Sequence, residues 1–316
     1  MQEQSSKSTF SRIGLSFFLF LLIGQILGIG ISLLVALFLP QLAQAGWFLW
    51  VVSYAPLYCV GFPVFMLIMR KVPDTATIAP DTLAANYKPK VTQLLMLVLA
   101  CLGVVYPLNI LANLLSMLLQ HLTGTALANP LAEVISGSSA IMNLFVVCIV
   151  APVMEEYIFR GILHKKLAGY GAKTYVFFSA FLFMLYHINL FQMGYAFVLG
   201  LIFALLTWYT GTIRYSIILH MVINLFGGGV SSLLLAFADE HAMSIWGLIV
   251  LAVAAVGLVV AIVQFVKYRK ILHFEAGALA APSAKDVLVN GGMSLMILLF
   301  LLLLTIGQLL PLFMGS

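Results

Sequence analysis

The sequence predicts an all-α protein, a polytopic bundle of about nine transmembrane helices with a cytoplasmic N-terminus. Three observations predict it. Hydrophobic residues make up 63% of the chain and charged residues 8%, where a soluble domain carries about 25% charged. Apolar runs long enough to cross a bilayer, roughly 17 to 25 residues, recur from end to end. With these runs taken as spans, the basic residues collect in alternate connections. A soluble core of 316 residues would leave much of the apolar surface in water, so lipid is the expected solvent for most of it. No polar stretch is long enough for a separate domain.

The first run, 13–39, has 27 residues, well beyond the roughly 7 to 15 of a signal-peptide core. It is therefore expected to be a retained span, although Ala43-Gln44-Ala45 follows it. The second span is 47–69, and the segment 70–90, with Pro73, Pro80 and Pro89, is a connection. The third span is 91–119 and the fourth, 138–163, carries charge. Spans five and six, 174–190 and 192–208, are short and nearly continuous, with their break placed between Asn189 and Gln192. The seventh is 213–235 and the eighth 244–265. A polar, Ala-rich link follows before the ninth span, 293–314. The chain thus divides into a cytoplasmic tail (1–12), N-terminal helices (13–137), a central segment (138–237) that holds the charged span, and C-terminal helices (238–316).

The net charge of +5 would suit nucleic acid only if it formed a patch. Instead, 14 of the 15 basic residues fall in the tail, in 70–90, after the fourth span, at 210–214 and in 267–285, all on one side of a nine-span topology. The outer connections carry no Lys or Arg. Positive-inside orientation explains this pattern, and no nucleic-acid partner is expected. The three cysteines, Cys59, Cys101 and Cys148, lie inside apolar runs and read as small hydrophobes, not as disulfide or metal ligands.

Charged groups at membrane depth cost about 3 kcal/mol on insertion scales and mark function by default. Only Glu155, Glu156 and Arg160 lie well within spans, all on the fourth. His187 ends Phe183-Met184-Leu185-Tyr186-His187, and His220 and Asn224 share the seventh span. Glu156 and Arg160 are four apart with the acid first, the favourable order for an intrahelical ion pair. Glu155 points about 100° away from Glu156, toward a different neighbour, and an unpaired carboxylate in an apolar site suits general-base work. His220 and Asn224, also four apart, share one face and can converge on a single atom. Each has a bland alternative: interfacial placement for His187, interhelical hydrogen bonding for His220 and Asn224. His121, His164, His241 and His273 lie at span ends or in loops and are expected to have no special role.

The pattern Glu155-Glu156-x-x-x-Arg160, Phe183-x-x-x-His187, His220-x-x-x-Asn224 resembles the three motifs of the CAAX prenyl endopeptidase and bacteriocin-processing family of intramembrane proteases. Tyr209-Thr210-Gly211-Thr212-Ile213 resembles the family's approach to its third motif. The resemblance covers roughly 141–226 and implies a membrane endopeptidase acting on a peptide or membrane-protein substrate. It implies that Glu155 activates the attacking water with His187 beside it, and that His220 and Asn224 steady the oxyanion. Glu156 and Arg160 would hold the fourth helix, and Phe183 would support the site. It leaves two mechanisms: a metal-free glutamate mechanism, the preferred reading, and zinc held by Glu155, His187 and His220. No HExxH is present.

Two other function classes compete. A secondary transporter would place buried ionisable groups along its path and show inverted repeats; none is evident. A non-catalytic membrane partner, of a sensor kinase or in bacteriocin immunity, would keep the fold and act through binding. A bacterial plasma membrane is the expected location, and the sequence indicates no oligomeric state. One tension remains within the map. His187 falls near the outer end of the fifth span, about 20 Å from a start at residue 174, whereas Glu155 and His220 lie in the cytoplasmic halves of theirs. A tilted helix, a helix starting within the membrane or a shifted boundary would each resolve it.

Overall fold

The computed structural model describes residues 6–76, 87–269, 274 and 276–310. Among them the chain forms nine principal helices: α1 (Ser6–Phe38), α2 (Phe48–Met69), α3 (Val91–Thr123), α4 (Ala140–Tyr170), α5 (Ala172–His187), α6 (Leu190–Thr210), α7 (Arg214–Phe237), α8 (Glu240–Tyr268) and α9 (Gly291–Leu309). Eight are long and apolar enough to cross a membrane; α5 is the short one. The protein is an all-helical polytopic membrane bundle, as the apolar runs predict. The ends of the chain expectations, 1–5 of the tail, 77–86 of the second connection, 311–314 of the ninth span, and His273, lie outside the described residues.

Polar contacts sort the helix ends into two groups. At one end Arg12 Nη1 donates to Lys71 O (2.7 Å), Thr75 N to Lys165 O (2.7 Å) and Leu279 N to Gly169 O (2.9 Å). The start of α1, the ends of α2 and α4 and the approach to α9 therefore meet. At the other end Ser139 N donates to Gly46 O (3.0 Å), and Gln308 Nε2 donates to Ala128 O (3.0 Å) and Asn189 Oδ1 (3.2 Å). The connections α1–α2, α3–α4 and α5–α6 and the end of α9 share that side. This is the alternation a nine-span chain requires, and the basic connections occupy the first end.

The break between α5 and α6 comes earlier than the expected 189–192. Ile188 closes α5 in the left-handed region (φ 44°), and Asn189 caps α6, its side chain accepting from Phe191 N at 3.0 Å. Asparagine is a favoured N-cap, and that chemistry sets the boundary. The depth tension resolves at the other end of α5. Gly171, at φ 92°, turns the chain straight from α4 into α5 with Ala172 already buried. Thr75 Oγ1 and Leu279 N bond Gly169, so α5 begins beneath a cover of two connections.

In lipid, burial gains packing contact more than transfer out of water. α1 presents Phe10, Ile13, Phe17 and Phe20, all fully buried, on one helical face to Phe65 and Met69 of α2, Phe159 of α4, Phe178 of α5 and Met293, Met296 and Phe300 of α9. A second cluster joins Leu102 and Val105 of α3, Leu199 and Phe203 of α6, Leu219 and Ile223 of α7 and Ala254 of α8. α6 feeds both clusters and is the central post. Two glycine pairings allow helix backbones to touch: Gly14 of α1 against Gly292 of α9, and Gly103 of α3 against Gly257 of α8. A Cβ on any of them would overlap backbone atoms of its partner helix.

α4 is not a uniform α-helix. Wider π turns occupy Val146–Val150 and Tyr157–Ile162, on either side of Ala151–Glu156, the turn that carries both glutamates. α2 and α7 contain similar segments, Leu57–Gly61 and Leu225–Gly229. Pro56 and Pro152 sit beside two of them; a missing N–H loosens the α ladder locally. Such insertions concentrate at functional sites.

Candidate active site

The Glu156–Arg160 pair forms as its spacing predicts. Arg160 Nη1 donates to Glu156 Oε1 at 3.0 Å, with both side chains fully buried. Arg160 Nη2 reaches across to α6 and donates to Gly200 O at 3.1 Å. α5 and α6 also approach closely there, since a Cβ on Gly200 would stand 2.8 Å from Ala180 Cα. Three rings enclose the guanidinium: Phe183 at 4.4 Å, Phe203 at 5.3 Å and Phe159 at 5.7 Å from its carbon. Buried cation–π contacts of this kind are worth about 2 kcal/mol.

His220 of α7 enters between the two acids. Its Nδ1 lies 3.0 Å from Glu156 Oε1 and its Nε2 3.8 Å from Glu155 Oε2. The sequence expectation sent the two glutamates to different neighbours; the structure has them share one imidazole, because α7 packs directly across that turn of α4. Glu156, already accepting from Arg160, also accepts from Nδ1. Both ring nitrogens of His220 thus face carboxylates, Nδ1 toward Glu156 and Nε2 toward Glu155. Glu155 is only 5% exposed, and among the described residues Arg160 bridges to Glu156 alone.

Asn224 and His220 do not converge. One turn beyond His220, Asn224 Nδ2 donates to Val147 O at 2.9 Å, inside the first π segment of α4. It ties α7 to α4. His187 Nδ1 bonds Phe183 O of its own helix at 2.7 Å, and His187 makes no ion pair with Glu155. The Phe183 ring touches both imidazoles, 4.7 Å from His187 and 5.9 Å from His220. His187 follows Phe183 by one helical turn, about 6 Å along α5, with its ring turned back onto Phe183. Among the described residues no group of three His, Cys, Asp or Glu side chains is arranged to hold a metal ion. The zinc donors Glu155, His187 and His220 are not gathered in this arrangement.

The sequence reading missed a set of phenols. Tyr54 and Tyr58 of α2, Tyr186 of α5 and Tyr195 of α6 all stand within electrostatic reach of Glu155. The hydroxyls of Tyr58 and Tyr186 are 3.3 Å apart. The available signal was weak: two tyrosines four apart on an apolar span, and a third adjoining a motif histidine.

Residues 137–226 match the family model of the Rce1-like type II CAAX prenyl endopeptidases. The segment runs from the turn before α4 into the π segment of α7, holds every motif residue above, and bears out the family resemblance. No curated protein and no solved structure matches the chain.

Proposed function

We propose that this chain is a membrane-embedded endopeptidase that hydrolyses a peptide bond of a peptide or membrane-protein substrate, with Glu155 as general base. The observation that carries the reading is the inequality of two adjacent acids. Glu156 is held at 3.0 Å by both Arg160 and His220 Nδ1, whereas Glu155 has one longer contact, 3.8 Å to His220 Nε2. A structural pair needs one carboxylate; the second is costly at this depth without a task.

In this reading Glu155 takes a proton from water as the oxygen attacks the scissile carbonyl, then delivers it to the leaving amine. His220 Nε2, 3.8 Å from Glu155, is the second acceptor at the same point and steadies the proton in transit. Glu156 fixes the tautomer of His220 through Nδ1, and Arg160 fixes Glu156, so Glu156 and Arg160 act as positioning residues. Asn224 orients His220 by anchoring α7. His187, one turn along α5 from Phe183, would meet substrate there. The family match supports a peptide substrate, and a prenylated C-terminal peptide is one candidate.

The test compares wild type with Glu155→Gln at matched membrane levels, reading new peptide termini across the membrane proteome by mass spectrometry. Termini made by wild type and missing with Glu155→Gln support the reading and name the substrate. Identical termini in the two membranes would sink it.

A further inference from the structure

The first turns of α1 carry a polar face that the candidate active site does not use. Lys7, Ser8, Ser11 and Arg12 fall at i, i+1, i+4 and i+5, on one side of the helix. With Asn290 and Gly291 at the start of α9 they line a cavity of about 420 Å³. Small-ligand sites run from roughly 300 to 1000 Å³. The cavity stands at the membrane surface: no charged residue occurs in 13–39 or in 291–310, so the hydrocarbon begins directly beneath it.

We propose that this cavity binds a phosphate group, carried by an anionic lipid of the leaflet that faces the basic connections. Phosphate is the ligand its chemistry fits: a guanidinium to fork two of the oxygens, an ammonium as a second positive charge, and hydroxyls to donate. Lys7 makes no ion pair among the described residues. The neighbouring acid, Asp286, takes the Ser6 and Ser283 hydroxyls (3.4 and 2.9 Å) and does not line the cavity. Basic pockets between transmembrane helices on the cytoplasmic side take lipid headgroups for the same reasons.

The protein itself holds the walls in place. Arg12 Nη1 donates to Lys71 O, just past α2, at 2.7 Å. A carbonyl is a neutral acceptor, so that bond orients the guanidinium without cancelling its charge. Ser11 Oγ accepts from Gly292 N (3.1 Å), which commits a lone pair and leaves the O–H to donate. Asn290 is 4% exposed; its amide donates to Asp286 O (2.8 Å) and Val287 O (3.0 Å), and its oxygen caps α9 at Met293 N (2.9 Å). A phosphate seated here would clamp α1 to α9. Phe17 of α1 packs on Phe159 of α4 at 5.2 Å, next to Arg160, so the clamp would also steady the helix that carries both glutamates.

The test uses the full chain in mild detergent, freed of bound lipid. It reads the rise in unfolding temperature with added dioleoylphosphatidylglycerol, dioleoylphosphatidylcholine or inorganic phosphate. Phosphatidylglycerol should stabilise wild type saturably, and phosphatidylcholine, whose own cation neutralises its phosphate, should not. At about fivefold in affinity per cation, Lys7→Gln/Arg12→Gln should need about 10- to 30-fold more phosphatidylglycerol for half the effect. Lys88→Gln/Lys173→Gln removes two cations elsewhere on the same side of the bundle and should need under about threefold more. Four results overturn the proposal: no stabilisation of wild type by phosphatidylglycerol or inorganic phosphate, an equal gain with phosphatidylcholine, an undiminished response of Lys7→Gln/Arg12→Gln, or an equal loss in the control pair. Inorganic phosphate that reproduces the shift in wild type and fails with Lys7→Gln/Arg12→Gln supports the site and makes soluble phosphate its source. If the double variant does not fold, Lys7→Gln decides alone: about a fivefold weakening supports the site and none overturns it.

Discussion

Arg160→Met removes the cation from a fully buried pair while keeping an unbranched side chain among the three rings. Deleting one partner of a buried ion pair costs about 3 to 5 kcal/mol, because the other charge is left stranded. Two features place this case near the bottom of that range. His220 Nδ1 still donates to Glu156 Oε1 at 3.0 Å, and the native pair is singly bonded, with Glu156 Oε2 and Arg160 Nε buried without a protein partner. The expected loss is therefore about 3 kcal/mol, roughly 150-fold in the unfolding equilibrium constant. Reversible unfolding in mixed detergent micelles, followed by tryptophan fluorescence, measures it. Glu156→Gln/Arg160→Met, which removes both charges, should cost clearly less than the two single losses added together, since a neutral pair strands nothing. A loss below about 1 kcal/mol for Arg160→Met, or strict additivity in the double variant, would refute the claim that burial couples these charges.

Gln308→Leu severs three hydrogen bonds that pin the end of α9 to the α5–α6 turn and to Ala128. At about 1 kcal/mol each, the same unfolding assay should record a loss of about 2 to 3 kcal/mol, and faster proteolysis near Asn189 should accompany it. Chelation of divalent metal with phenanthroline should leave the rate of Glu155-dependent cleavage unchanged; a loss restored by added zinc would show that the imidazoles regroup around a metal when it is present.

How far the site could be read ahead depended on whether a contact is local. Glu156 and Arg160 are four apart on one helix, and the spacing alone yields their pair. The acids and histidines of the three motifs were singled out because charge in an apolar span has few other excuses. What stayed hidden needed helix packing. That His220 bonds Glu156 as well as facing Glu155 follows from where α7 crosses α4, which no periodicity reports. Asn224 finds Val147 O in a π turn, whose carbonyls are displaced from where a regular helix would put them. Arg160 finds Gly200 O because α4 packs against α6. Span number and alternation were legible because hydropathy and charge vary along the chain itself; the α5–α6 break was misplaced slightly because both flanks are equally apolar and the cap at Asn189 is a single residue.

The contact between α1 and α9 sets a timetable for biosynthesis. Gly292 N bonds Ser11 Oγ across 281 residues of sequence, and Gly14 of α1 meets the backbone of Gly292 and Met293. At roughly 5 to 20 residues per second, α1 would enter the bilayer some 15 to 60 seconds before the helix that covers it. During that interval its Gly14 flank is open to any passing small-residue face, so the membrane insertion machinery, or lipid alone, must keep it unpaired. A helix made well before its partner is among the last to be finished.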